Sequence, residues 1–155
     1  FFEEGTTHLF EMVHPEDPHI VSERNGIHLL GHRDNKTGQY TPSFVQYAGR
    51  MTLQEALDLR HEGLGEGFMV YSDDDEFKNS PCKLKTPHYI GKKLLMRINQ
   101  NRWVDVLNDD RHIKNTLDKR WHSTVDYLIK TYASKWASIE EQQRRKIIEH
   151  FGGFV

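Results

Sequence analysis

Between Ile113 and Trp136, apolar residues recur at intervals of three and four: Ile113, Leu117, Trp121, Val125, Leu128, Tyr132 and Trp136. An α-helix turns every 3.6 residues, so this spacing places all seven side chains along one stripe. The stripe commits this part of the chain to one helix, or two consecutive helices, with a buried face. Ser123 and Asp126 have the spacing of a helix restart. Ser138 and Glu141 have that of a capping box opening the run IEEQQRRKIIEHF, which Gly152 and Gly153 would close. Packing accounts for the stripe without any ligand.

The preceding residues have a different texture. Residues 7–47 and 66–91 read as short strands punctuated by turns. THLFEMV alternates roughly and stops at Pro15; PHIV is short and β-branched; the turn ERNG follows; GIHLLGHRD is a further strand, closed by DNKTG. Among these runs lies one helix, MTLQEALDLRHEG, with a capping box at Thr52 and Glu55 and a stop at Gly63. The run KKLLMRINQNRWVDVL, within residues 92–112, is ambiguous and fits a helix with a basic face. The expected organisation is α+β: an antiparallel sheet portion over residues 1–91 and a small helical region over 92–155.

Composition limits the partners. The chain has 155 residues, 28% charged and 36% hydrophobic, which suits one compact domain or a small domain with an appendage. No apolar run is long enough to span a bilayer, so no membrane partner is expected. FFEEGTTHLF lacks the basic and apolar regions of a signal peptide. The single Cys82 excludes an intramolecular disulfide and a cysteine-based zinc site, and fits an intracellular setting, which the resemblance given below makes the cytoplasm of a host cell. A formal net charge of −2 means that a nucleic-acid partner requires a local basic patch.

Two stretches carry candidate chemistry. In EGFMVYSDDDEFKNSPCKLKT, Glu66 opens an apolar run, and Lys83 and Lys85 lie two apart on a second run. A strand's side chains alternate, so the two lysines share a face and Leu84 points to the core. A carboxylate and two ammonium groups suit a polyanion with a divalent metal, such as a nucleoside triphosphate. Surface charges on an exposed hairpin are the plainer alternative. In HLFEMVHPEDPHIV, Phe10 offers a ring to stack on a base, and Glu11 a carboxylate for a ribose hydroxyl or a metal. A core Phe10 and a solvated Glu11 are the alternative. The ten histidines are scattered; His28 and His32 share a strand face, and His14 and His19 flank a turn and are expected to be solvated.

In this order the segments resemble ATP-dependent RNA ligases of the phage T4 RNA ligase 1 type, within the covalent nucleotidyltransferases. HLFEMVHPEDPHIV resembles motif III; GIHLLGHRDNKTGQY resembles motif IIIa, including Arg33; EGFMV resembles motif IV; CKLKTPHY, with Tyr89, resembles motif V. The resemblance covers residues 6–91. It implies the antiparallel sheet portion of a nucleotidyltransferase (adenylyltransferase) domain, ATP and Mg2+ as cofactors, and RNA ends, tRNA among them, as substrates in a phage or bacterial host. It implies that Phe10 packs near the adenine, Glu11 contacts the ribose or positions the metal, and Arg33 shapes the nucleotide or RNA 5′-end pocket. Glu66 would position the catalytic magnesium, and Lys83 and Lys85 the α-phosphate.

The family's nucleophile lies in motif I, Lys-x-Asp-Gly or Lys-x-x-Gly-Ser, upstream of motif III, and these residues contain neither pattern. The chain is therefore expected to be the C-terminal part of such a ligase, with the nucleophilic lysine in a missing N-terminal part. A non-catalytic nucleotide- or RNA-binding module derived from the same domain is the alternative. In the helical region, Arg97, Arg102, Arg111, Lys114, Lys119 and Arg120 would track an RNA backbone, with Trp103 or Trp121 stacking on a base. A packed cap with a solvated charged face is the alternative there.

Overall fold

The computed structural model describes residues 3–17, 19–43, 49–72 and 81–151. The acidic loop at Asp73, Asp74 and Asp75 and the expected helix stop at Gly152 and Gly153 lie outside the described residues. The fold is mixed α and β with small antiparallel sheets. It divides into two compact units, Phe1–Leu57 with Phe68–Leu84, and Asp58–Gly67 with Lys85–Val155.

In the first unit, strands β1 (Thr6–Val13), β2 (Gly26–Asp34) and β3 (Tyr40–Pro42) form an antiparallel sheet in the order β1-β2-β3. The register runs from Thr6 opposite Asp34 to Val13 opposite Gly26, with an irregularity between Leu9 and Phe10. The expected turn at DNKTG forms. Asp34 Oδ1 accepts the amides of Lys36 and Thr37 at 2.9 and 2.7 Å, and Gly38 supplies a φ of 75°. The Thr37 amide, more than any other group, holds the Asp34 carboxyl below the usual carboxylate range. Gly31 has to be glycine for a different reason: a Cβ there would lie 2.5 Å from the Thr41 carbonyl oxygen and the Tyr40 hydroxyl. That hydroxyl donates to the Leu30 carbonyl at 2.8 Å.

PHIV is not a strand over its described residues. His14 and Asp17 form an isolated bridge, and Ile20 is buried from an irregular segment. Pro15 and Pro18 have no N–H to give a ladder, which outweighs the β-branched composition. The expected turn at ERNG is likewise absent, and that stretch enters β2 as irregular chain. Strands β4 (Gly67–Val70) and β5 (Cys82–Lys85) form a separate two-stranded sheet. Helix α1 (Leu53–Glu62) begins with the expected capping box: Thr52 Oγ1 accepts the Glu55 amide at 3.2 Å, and Glu55 Oε2 accepts the Thr52 amide at 2.7 Å.

The second unit holds helices α2 (Pro87–Arg97), α3 (Gln100–Asn108), α4 (Arg111–Thr116), α5 (His122–Tyr132) and α6 (Glu141–Phe151), with 3-10 turns at Lys119–Trp121 and Ala133–Ser138. Helix α2 thus starts within the stretch expected to be strand and turn, led by a Thr86 cap and Pro87 in its first turn. The ambiguous run at 92–107 is two helices, broken where Asn99 Oδ1 accepts the Arg102 amide at 2.9 Å. Its basic residues divide: Lys93, Arg97 and Arg102 are exposed, and Lys92 is not. Lys92 is buried against Glu149 at 2.7 Å, and Arg97 Nε reaches Glu141 at 2.9 Å.

The apolar stripe is core, as its spacing requires. Trp121, Val125, Leu128 and Trp136 are fully buried, and Ile113 and Leu117 nearly so. It is not one continuous helix: Leu117 is extended, and Asp118 accepts the Arg120 amide at 3.0 Å to open the first 3-10 turn. Helix α5 starts at His122 rather than through Ser123. Ser138 ends the second 3-10 turn, so α6 begins at Glu141 without the expected Ser138 cap. The tight turn carries Trp136 into the core, and its indole N–H donates to the Leu95 carbonyl at 3.1 Å.

Gly91 sits in α2 where a Cβ would collide with the buried Trp121 indole. A helical glycine usually costs about 1 kcal/mol relative to alanine. Here the sign reverses: Gly91→Ala is expected to lower stability by about 1–3 kcal/mol through overpacking, read from the urea midpoint at constant slope. A rise in stability would show that Trp121 does not pack against this glycine.

Candidate functional site

The candidate pair is built where two chain segments of the second unit are tied together. The Thr86 amide donates to the Glu66 carbonyl at 3.1 Å, and its hydroxyl donates to the Gly65 carbonyl at 2.6 Å. The same hydroxyl accepts the Tyr89 amide at 3.0 Å and so caps α2. One buried threonine therefore fixes Glu66, just before β4, against Lys85, the last residue of β5. The Lys85 ammonium donates to the Glu66 carboxylate and lies 4.6 Å from the centre of the Tyr89 ring. Both side chains keep access to solvent, Lys85 at 27% and Glu66 at 33%. Arg60 Nη1 donates to the Lys85 carbonyl at 3.4 Å. The arrangement is a carboxylate and an ammonium paired with each other, both partly exposed.

Lys83 is in the first unit by chain division and is exposed, while Leu84 is half-buried. Phe10 and Glu11 lie on β1, and Arg33 on β2. Phe10 is 47% exposed and pairs across the sheet with Leu29, so it is not the core residue of the plainer reading. Arg33 folds along the DNKTG turn, where a Cβ on Gly38 would approach its Nη2 to 3.3 Å. Glu11 Oε1 lies 3.8 Å from Nδ1 of His19, and that same nitrogen is 3.0 Å from Glu23 Oε2. His19 is thus mostly covered, contrary to the expectation of a solvated histidine. No motif spacing flags Glu11, His19 and Glu23 as a group; an irregular loop brings them together. His28 and His32 build nothing in common: His28 Nε2 bonds to the Arg24 carbonyl at 2.6 Å, and the His32 ring tilts against His8 across the sheet at 6.1 Å.

In the helical region, the two tryptophans expected to stack on a base lie in the core. Trp103 and Trp121 are fully buried, with indole N–H groups on the carbonyls of Ala133 and Pro87 at 2.6 and 3.1 Å, so neither offers a face to a base. Arg111 binds Asp109, Lys114 binds Asp110 and Asp126, and Arg120 binds Asp118. The Asp118 carboxyl is pulled down to about 2 chiefly by its hydrogen bond from Arg120. Arg111, Lys114 and Arg120 are thus paired with acids, while Arg102 and Lys119 are exposed. Among the described residues, no helix is long and apolar enough to cross a membrane.

No protein-family model, curated protein or solved structure matches the chain.

His88 follows the Thr86 cap in the first turn of α2, its ring 5.7 Å from that of Trp121. Burial pushes its pKa below 6.5, and the neighbouring Lys92 and Arg120 charges push the same way. An unfolded chain then takes up a proton that the folded one refuses, so stability falls as pH drops below 6.5. In a histidine NMR titration, the His88 ring is expected to show a midpoint below 6.5. A midpoint at or above it would contradict the packing around Trp121.

Proposed function

We propose that this chain supplies motifs III to V of an ATP-dependent RNA ligase, which joins RNA 5′-phosphate and 3′-hydroxyl ends through lysyl-AMP and RNA-adenylate intermediates. The observation that carries the reading is the Glu66–Lys85 pair, anchored by Thr86 where motifs IV and V adjoin. The two charges match the roles that the resemblance gives these positions, and they occupy one place in the fold.

Mg2+ binds through one or two carboxylates and completes its shell with water and phosphate oxygens, so a single accessible Glu66 is a sufficient protein ligand. When bound, the ion supplies charge neutralisation at the phosphates. Lys85, released from Glu66, places its ammonium on a non-bridging oxygen of the α-phosphate, where negative charge develops as pyrophosphate leaves. The π face of Tyr89, 4.6 Å from that ammonium, would help to hold it in place. Lys83, exposed on the same strand, has the second phosphate role by resemblance; the roles of Phe10, Glu11 and Arg33, in the first unit, rest on the resemblance alone.

Neither motif I pattern occurs in these 155 residues, so on this reading the attacking amine is not one of theirs. That same observation favours the second reading, a nucleotide- or RNA-binding module without a nucleophile. Intact mass separates the two. A polypeptide extended upstream to include a Lys-x-Asp-Gly segment is expected to gain one AMP with ATP and Mg2+, and to lose that gain with Glu66→Ala or Lys83→Ala. The 155-residue chain alone is expected to gain none. An extended polypeptide that never takes up AMP would overturn the ligase reading.

A further inference from the structure

We propose that Glu11, His19 and Glu23 form a binding site for a divalent transition metal, with Zn2+ as its representative ion. Among the described residues, this is the one trio of histidine, cysteine and carboxylate side chains whose ligand atoms all lie within 4.8 Å of one another. Glu11 comes from β1, while His19 and Glu23 come from the irregular segment before β2. All three belong to the first unit.

The geometry favours a metal over a simple ion pair. Both carboxylates approach the same imidazole nitrogen, Nδ1, at 3.8 and 3.0 Å. A proton on Nδ1 points in one direction and makes one good hydrogen bond, here to Glu23. Glu11 is then left beyond hydrogen-bond distance while its charge is held beside that of Glu23. A divalent ion in the middle serves all three donors together. Zinc ligands lie about 2.0–2.2 Å from the ion and so about 3.4 Å from one another; the 3.8 Å approach of Glu11 shortens and the 3.0 Å approach of Glu23 lengthens, each by about 0.4 Å, which rotation of two partly exposed glutamates supplies. The imidazole donor selects Zn2+ and its neighbours in the series over Mg2+. Water completes the tetrahedron. The site bridges β1 to the loop that fails to form a strand, giving that segment a fixed position which its prolines deny it through backbone pairing. This inference does not rest on the nucleotide reading, and its test contains no nucleotide.

The test is calorimetric titration of the full chain with Zn2+ alone. One equivalent is expected to bind. His19→Gln and Glu23→Gln should each weaken binding about tenfold or more, while His28→Gln and His32→Gln should leave it unchanged. Circular dichroism confirms that each variant is folded, and Glu23→Gln, at an exposed position, provides the reading if His19→Gln is not. The His19 ring nitrogen resonance is expected to shift on adding Zn2+. No uptake by the wild-type chain, or equal uptake by the folded Glu23→Gln variant, would overturn the site.

Discussion

Three buried indole N–H groups hold the helical unit together. Each tryptophan is fully covered, and each donates to a main-chain carbonyl on another element: Trp103 to Ala133, Trp121 to Pro87 and Trp136 to Leu95. A buried indole without an acceptor would forfeit about 1–3 kcal/mol, so these bonds fix position as well as burial. Two acceptors lie at helix ends, where carbonyls lack intrahelical partners. Leu95 is near the C-terminal end of α2, and Ala133 follows α5 with a φ of 42°, a backbone region that a non-glycine residue occupies only under constraint. Arg144 completes the pattern by donating to the Ile98 carbonyl just past α2 at 2.9 Å, and burial lowers its pKa. The same Trp121 that fills the core also bonds at the first turn of α2, beside the Thr86 anchor of Glu66 and Lys85.

The parts legible in the sequence were those with strong local signals. The 113–136 stripe revealed its buried face because period and residue size agree. Thr52 with Glu55, and Asp34 with Gly38, announced a cap and a turn through side-chain chemistry alone. PHIV misled because composition favoured a strand while its own Pro18, with Pro15 just upstream, offers no N–H to a ladder. Ser138 and Glu141 misled because burial of Trp136 drew the chain into a 3-10 turn, and that tertiary gain exceeded the value of a cap. The basic residues of the helical region could not be judged from spacing, since their acidic partners sit at mixed separations: Arg97 pairs with Glu141, Lys114 with Asp126.

The candidate site was legible in part. The sequence placed an acid at the head of one run and lysines on the next, and the structure joins Glu66 to Lys85. It did not reveal that Thr86 ties the two segments, because a threonine before a proline reads only as a helix start. Nor did it reveal His19 and Glu23 beside Glu11, which depend on the course of an irregular loop. A partly exposed lysine–glutamate pair contributes only about 0–1 kcal/mol to stability. What the proposal adds to the ion pair is a chemical role: Glu66 for a cation and Lys85 for a phosphate oxygen.

That distinction is open to direct measurement by calorimetric titration of the chain with ATP in the presence of Mg2+, set beside Glu66→Gln and Lys85→Met. Saturable binding to the wild-type chain, weakened about tenfold or more in each variant, or ~1.4 kcal/mol, with urea midpoints nearly unchanged, is the result the account predicts. Absence of binding, or equal binding by all three proteins, would contradict it and leave the pair as an ordinary ion pair at the end of a small sheet.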